Sequence, residues 1–202
     1  MSQMNNSQDK PMLNDGSRAR DIRKEFFAYR NGIIADKLRK AGDPHPVIMG
    51  CLLVDVISIT GRLRQDINDD EQLQVLAQEL WNDTNSRECR LAAPMLYPAP
   101  LMTIETALDW CHSVENTEVA DNLCHKLLRH LAMADDLFRK LIAHQSALVK
   151  YTGYRLLLNL LLGGRVLATP SLKSIVEAEA THAQAPLTAL LHDVLEEFQE
   201  NN

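Results

Sequence analysis

Seven basic side chains (Arg87, Arg90, Lys126, Arg129, Lys150, Arg155 and Arg165) fall in three segments, 86–97, 117–131 and 149–165. The same segments hold only three carboxylates, Glu88, Glu118 and Asp121. Guanidinium and ammonium groups arrayed along helices take phosphate oxygens. Arg87 and Arg90 lie three apart on one helix face, a spacing suited to successive phosphates. A carboxylate among cations stays ionised, because opposite charge favours its anion. A fixed anion in turn stabilises positive charge that develops in a transition state. Glu118 and Asp121, also three apart, share a face. Such a pair can serve acid–base chemistry, or Glu118 can simply answer the positive end of the helix dipole. The bland arrangement stands beside these: solvated helix faces, and an ion pair in which Asp121 and Arg155 bridge neighbouring segments.

Metal chemistry is a weaker fit. Cys111-His112 and Cys124-His125, with His130 near, offer soft ligands. Adjacent residues on a helix point about 100° apart, so neither dipeptide chelates one ion well. No metal and no other cofactor is expected. Gly163-Gly164-Arg165 reads as a helix stop, since a phosphate loop needs a strand before it and a helix after it.

The elements that must carry these residues repeat. First helices begin near Asp70, Thr103, Asp135 and Pro170, and second helices near Ser86, Thr117 and Val149. Self-similarity at this period, near 32 residues, is the signature of a helical solenoid in which each pair buries its apolar face against its neighbours. Leu73, Leu76, Ala77 and Leu80 make one helical face; Leu123, Leu127, Leu128 and Leu131 make another. Upstream, a helix is expected over 17–41 with a break at Asn31-Gly32, then a second over the apolar run after Pro46 to Ile59, then a polar connection over 61–70. The pairs 71–81 with 86–96, 103–111 with 117–131, 135–144 with 149–162, and 170–180 with 186–198 follow. Thr103 caps its helix, Trp81 and Trp110 are core rings, and Pro98–Pro100 is a turn. The expected fold is all-α: a right-handed α-α superhelix of about five to six pairs, one domain over 16–198 behind a disordered tail at 1–15. Its second helices line the concave side, so the basic segments above share one surface.

Composition narrows the classes. The 202-residue chain carries a net charge of −6 and is 46% hydrophobic. That acidity disfavours indiscriminate nucleic-acid binding, yet the second-helix segments are basic and the remainder carries the negative excess. A basic groove on an acidic body suits duplex DNA. No secretion signal is evident, and no apolar run approaches the roughly 20 residues a membrane span needs. A soluble cytoplasmic protein is expected, with Cys51, Cys89, Cys111 and Cys124 as free buried thiols.

Three stretches together resemble a known family: LWNDTNSRECRLAAPML (80–96), NTEVADNLCHKLL (116–128) and KYTGYRLLLNLL (150–161). In order and spacing they are similar to the bacterial DNA alkylation repair glycosylases with HEAT-like repeats, the AlkD-like family, over roughly 22–165. The resemblance implies an α-solenoid cradling duplex DNA and a metal-free hydrolysis that releases cationic bases such as 3-methyladenine or 7-methylguanine. It implies Asp121, in TEVAD, as the carboxylate set against the lesion's deoxyribose, and Arg155, in YTGYR, as the arginine that holds DNA. Arg87, Arg90, Lys126, Arg129 and Lys150 are expected as further DNA contacts. Where the family has an aromatic four residues before its Asp, this chain has Thr117, and no Trp occurs in PLTALLHDVLEEF, where a second ring is expected. A DNA-binding protein that has lost catalysis fits these departures. A protein–protein interaction scaffold is the alternative from another class, because a solenoid does not fix function.

Overall fold

A computed structural model describes residues 15–200. The expected tail lies outside these residues, apart from Asp15, which opens the first helix. Eleven α-helices occur among them: α1 (Asp15–Ala28), α2 (Gly32–Lys40), α3 (Leu53–Asp66), α4 (Asp70–Asn82), α5 (Arg87–Leu96), α6 (Ile104–His112), α7 (Thr117–Lys126), α8 (Ala134–Ile142), α9 (Ala147–Leu162), α10 (Pro170–Ala180) and α11 (Leu187–Glu200). Two layers result. Helices α3, α5, α7, α9 and α11 pack in succession, each on the next. The outer helices α4, α8 and α10 pack on α5, α9 and α11 of their own pairs. This is an α-solenoid.

Local chemistry sets the boundaries. Asn31 breaks the first long helix by capping the second, its side chain accepting from the amides of Ile33 and Ile34. Asp69, Ser86, Thr103, Asn116 and Thr169 cap α4, α5, α6, α7 and α10 in the same way. Gly164, at φ +62°, ends the run after α9.

Two expectations fail in the same place. The stretch 45–52 is extended, not helical, and α3 occupies much of the supposed connection after Gly61. Val47 pairs with the residues around Ser86, and Gly50 sits at φ +77° with its Cα against the Asn31 carbonyl. A Cβ there would lie 2.2 Å from that oxygen. Buried Glu88 then accepts from the amides of Met49, Gly50 and Cys51, at 3.1, 2.9 and 3.3 Å. Backbone amides normally spent in a helix are spent on one carboxylate 37 or more residues away.

The core runs continuously from Ala19 to Phe198. Trp81 and Trp110 stack inside it, centroids 4.2 Å apart, with Tyr97 edge-on to Trp110. Gly153 lets α9 approach α8: a Cβ would meet the Ile142 amide nitrogen at 2.8 Å.

Candidate nucleic-acid interface

Helix α7 builds the centre of the groove. Asn116 caps it, Glu118 lies in its first turn, and His125 and Lys126 lie in its last, all in accord with the macrodipole. Val119, Ala120, Leu123 and Cys124 face the core. Thr117, Asp121 and His125, four apart, face outward and line a groove of about 570 Å³ with Leu53, Leu91, Glu118, Asn122, Lys126 and Arg155. Helix α9 supplies the next wall, with Tyr151 and Arg155 one turn apart.

Asp121 and Arg155 do meet. The Arg155 Nε lies 3.3 Å from Asp121 Oδ1, and the Tyr151 hydroxyl donates to the same oxygen at 3.0 Å. Both contacts fall on Oδ1, and no hydrogen bond reaches Oδ2 among the described residues. Burial raises the Asp121 carboxyl above the ordinary value; Arg155 and the Tyr151 hydroxyl oppose that rise without cancelling it. Desolvation is the larger effect on this carboxyl and the neighbouring cation the smaller one. Tyr151 went unnoticed in the sequence. Its signal was its place one helical turn before Arg155. Its ring is buried, so it orients the carboxylate and offers no face to a sugar.

Three of the expected DNA contacts are already engaged. Arg87 is 4% exposed. Its Nε donates to Glu118 at 2.7 Å and its Nη1 to Glu88 and the Cys51 carbonyl. Glu118 is therefore a structural partner of Arg87 and not half of an acid–base pair. Arg90 is fully buried, bonded to Glu115, the Trp81 carbonyl and the Ser113 carbonyl, with its guanidinium 3.6 Å above the Trp81 ring. Neither arginine can reach a phosphate, and both are removed from the expected contact set. Lys150 donates to both oxygens of Glu179 at 2.8 Å and is turned toward α10. The reading of ion pairs between repeats holds for Arg87, Arg90, Lys150 and Arg155.

What remains is concentrated at the C-terminal ends of the inner helices. Lys126 and Arg129 are half-buried and pair with no carboxylate among the described residues. Arg129 lies between two imidazoles, 3.4 Å from His125 Nδ1 and 3.3 Å from His130 Nε2. Arg165 reaches back to the carbonyls of Arg129 and Leu131, and Arg64 on α3 does the same for Met95 and Leu96. These arginines satisfy carbonyls left over at helix ends and place positive charge where the dipoles are negative. The imidazoles register the field: burial first, then Arg129 and its cationic neighbours, push His125 and His130 below the usual histidine range.

The Cys-His dipeptides do not assemble a ligand set. Cys111 and Cys124 are buried in the core while His112 and His125 point outward. No helix is long and apolar enough to cross a membrane among the described residues.

Stacked helix pairs whose inner layer forms a groove with a basic edge define a HEAT-like repeat protein. The model of the family described as DNA alkylation repair enzyme matches residues 22–185, and the chain belongs to that family. No curated protein matches it. A solved structure described as "a new family of proteins related to the HEAT-like repeat DNA glycosylases with affinity for branched DNA structures" shares the fold. The two align with a TM-score of 0.71 at 16% identity, over 90% of this chain and 76% of that one.

Proposed function

We propose that this protein binds DNA in the groove between α3 and α9, tracking one backbone strand along Lys126, Arg129 and Arg165. The observation that carries the reading is that these cations, unlike the four paired ones, lack carboxylate partners among the described residues, and that Lys126 lines the same groove as the Asp121–Arg155 pair. Family membership and the branched-DNA affinity of the structural relative support it. Asp121 faces the groove and Arg155 holds it; neither is expected to contribute net attraction for phosphate. The relative has affinity for branched DNA structures, and the groove is expected to take branched duplexes as well. Binding should be tested on a short duplex with an abasic-site analogue and on a branched duplex, across a salt series. Three phosphate contacts give a slope of log K against log salt of about −3, because each neutralised phosphate contributes about 0.9. Lys126→Glu with Arg129→Glu should remove most of that slope. Absence of binding at low salt would refute the reading and leave a protein-binding scaffold.

A second reading, excision of an alkylated base, rests on the unpartnered Oδ2 of Asp121. A carboxylate held on one oxygen and open on the other is suited to developing oxocarbenium charge. Against it stands the absence of a sugar-facing ring: Thr117 is not aromatic and Tyr151 is buried. The test is release of 7-methylguanine from methylated duplex. If excision occurs, Asp121→Asn should abolish it while leaving binding intact or stronger.

A further inference from the structure

The groove has an apolar wall that the phosphate reading leaves unused. Leu53, Val54 and Ile57 on α3 are 42%, 63% and 41% exposed. Leu53 lines the same groove as Asp121, Lys126 and Arg155. Ile57 is one turn along from Leu53, and Arg64, seven residues further, holds the register of that face. Helix α3 packs on α5 and α1 and buries Val56, Ile59 and Thr60, leaving Leu53, Val54 and Ile57 outside that contact. The exposed aliphatic face therefore adjoins the groove at Leu53, where Lys126 also lines it, and no described element covers it.

The neighbouring charge decides what this wall fits. An intact duplex presents phosphates and polar groove edges, and its flat base faces are hidden in the stack. It offers an aliphatic surface only scattered contacts such as thymine methyl groups. DNA whose stack is interrupted, at a missing base, a nick or a branch, exposes an apolar base face within a nucleotide of an anionic phosphate. A ligand-binding surface for that feature needs aliphatic side chains next to cations, and Leu and Ile side chains are known to pack against unstacked base steps. A protein partner for this wall would also have to be acidic, to face Lys126 and Arg129; nucleic acid satisfies both needs with one ligand.

We propose that Leu53, Val54 and Ile57 form the base-contacting wall by which the groove selects DNA with an exposed base face over intact duplex. This rests on the DNA-binding reading and adds its specificity. The cations contribute affinity common to all duplexes, and the wall contributes the difference.

The experiment uses the double variant Val54→Ser, Ile57→Ser. Both sites are exposed, so the fold should survive, and a thermal melt checks it. Affinity is measured for two duplexes of equal length. One is intact; the other carries an abasic-site analogue with 2-aminopurine opposite the gap. The expected result is a loss of about tenfold on the interrupted duplex, the scale of one base contact. Affinity for intact duplex and the salt slope should not change. Wild-type protein should raise 2-aminopurine fluorescence by holding that base out of the stack, and the variant should not. Equal weakening on both duplexes, or none on either, overturns the proposal. So does light scattering that shows a wild-type dimer abolished by the variant, since the wall would then belong to a second copy. Wild-type protein that binds both duplexes equally sinks this inference alone, whereas binding to neither sinks the DNA-binding reading first.

Discussion

Arg90 offers the sharpest separation of structure from recognition. Arg90→Met keeps the aliphatic stem and removes the guanidinium. The loss strips donors from the Trp81 carbonyl and the Ser113 carbonyl, and ends the stacking over Trp81. An abandoned buried acceptor costs about 1–3 kcal/mol, and breaking a buried ion pair about 3–5 kcal/mol. Glu115 keeps some water access, its side chain being 23% exposed, which puts the ion pair at its lower end, about 3 kcal/mol, and the two carbonyls at about 1 kcal/mol each bring the total to about 5 kcal/mol. For a chain of this size that is a fall in Tm of about 10–20 °C. Typical stabilities are about 5–15 kcal/mol, so binding is measured well below the variant's own melting point. The assay pairs thermal and urea unfolding with the salt dependence of DNA binding. The variant should melt early and bind DNA with an unchanged salt slope. An unchanged melt with a slope reduced by about 0.9 would mean that Arg90 contacts a phosphate, and the burial argument would be refuted.

Further outcomes follow from the same geometry. DNA affinity should rise as pH falls from about 8 to below 6.5, because the depressed pKa values of His125 and His130 keep both imidazoles neutral in the free protein and a phosphate beside Arg129 would draw protons onto them. The sign for stability is opposite: a base with a lowered folded pKa contributes stability above its unfolded value of 6.5 and loses it as pH falls through the folded value, so the free protein should weaken in acid. His125→Gln with His130→Gln should flatten the affinity profile; a profile that keeps its slope would place the titrating group elsewhere. Asp121→Asn should leave the fold at least as stable at neutral pH, since the raised carboxyl marks a charge that burial penalises, and an unfolding free energy lowered by more than about 1 kcal/mol would contradict this. The thiols should resist alkylation in the native state, because burial pushes Cys51 up to about 12 and Cys89 up to about 11 and raises Cys111 and Cys124 as well. Four equivalents of thiol should become reactive only on denaturation.

The sequence by itself determined the solenoid. Leu73, Leu76, Ala77 and Leu80 repeat at the helical period, Thr103 announces a helix start, and Gly163-Gly164 announces a stop; these signals are local and survive without knowledge of neighbours. The misread stretch 45–52 is the place where a distant carboxylate, Glu88, takes up three backbone amides, an interaction no local pattern encodes. The meeting of Asp121 with Arg155 was legible because equivalent positions of adjacent repeats stack. Only the tertiary structure sorted the other cations. Arg87, Arg90 and Lys126 look alike in sequence, all on inner helices. Yet Glu118 and Glu115 pair with the first two, and no carboxylate pairs with the third among the described residues. Whether an arginine holds the fold or meets a ligand depends on which acceptor the neighbouring repeat brings within about 3 Å, and that distance exists only once the helices pack.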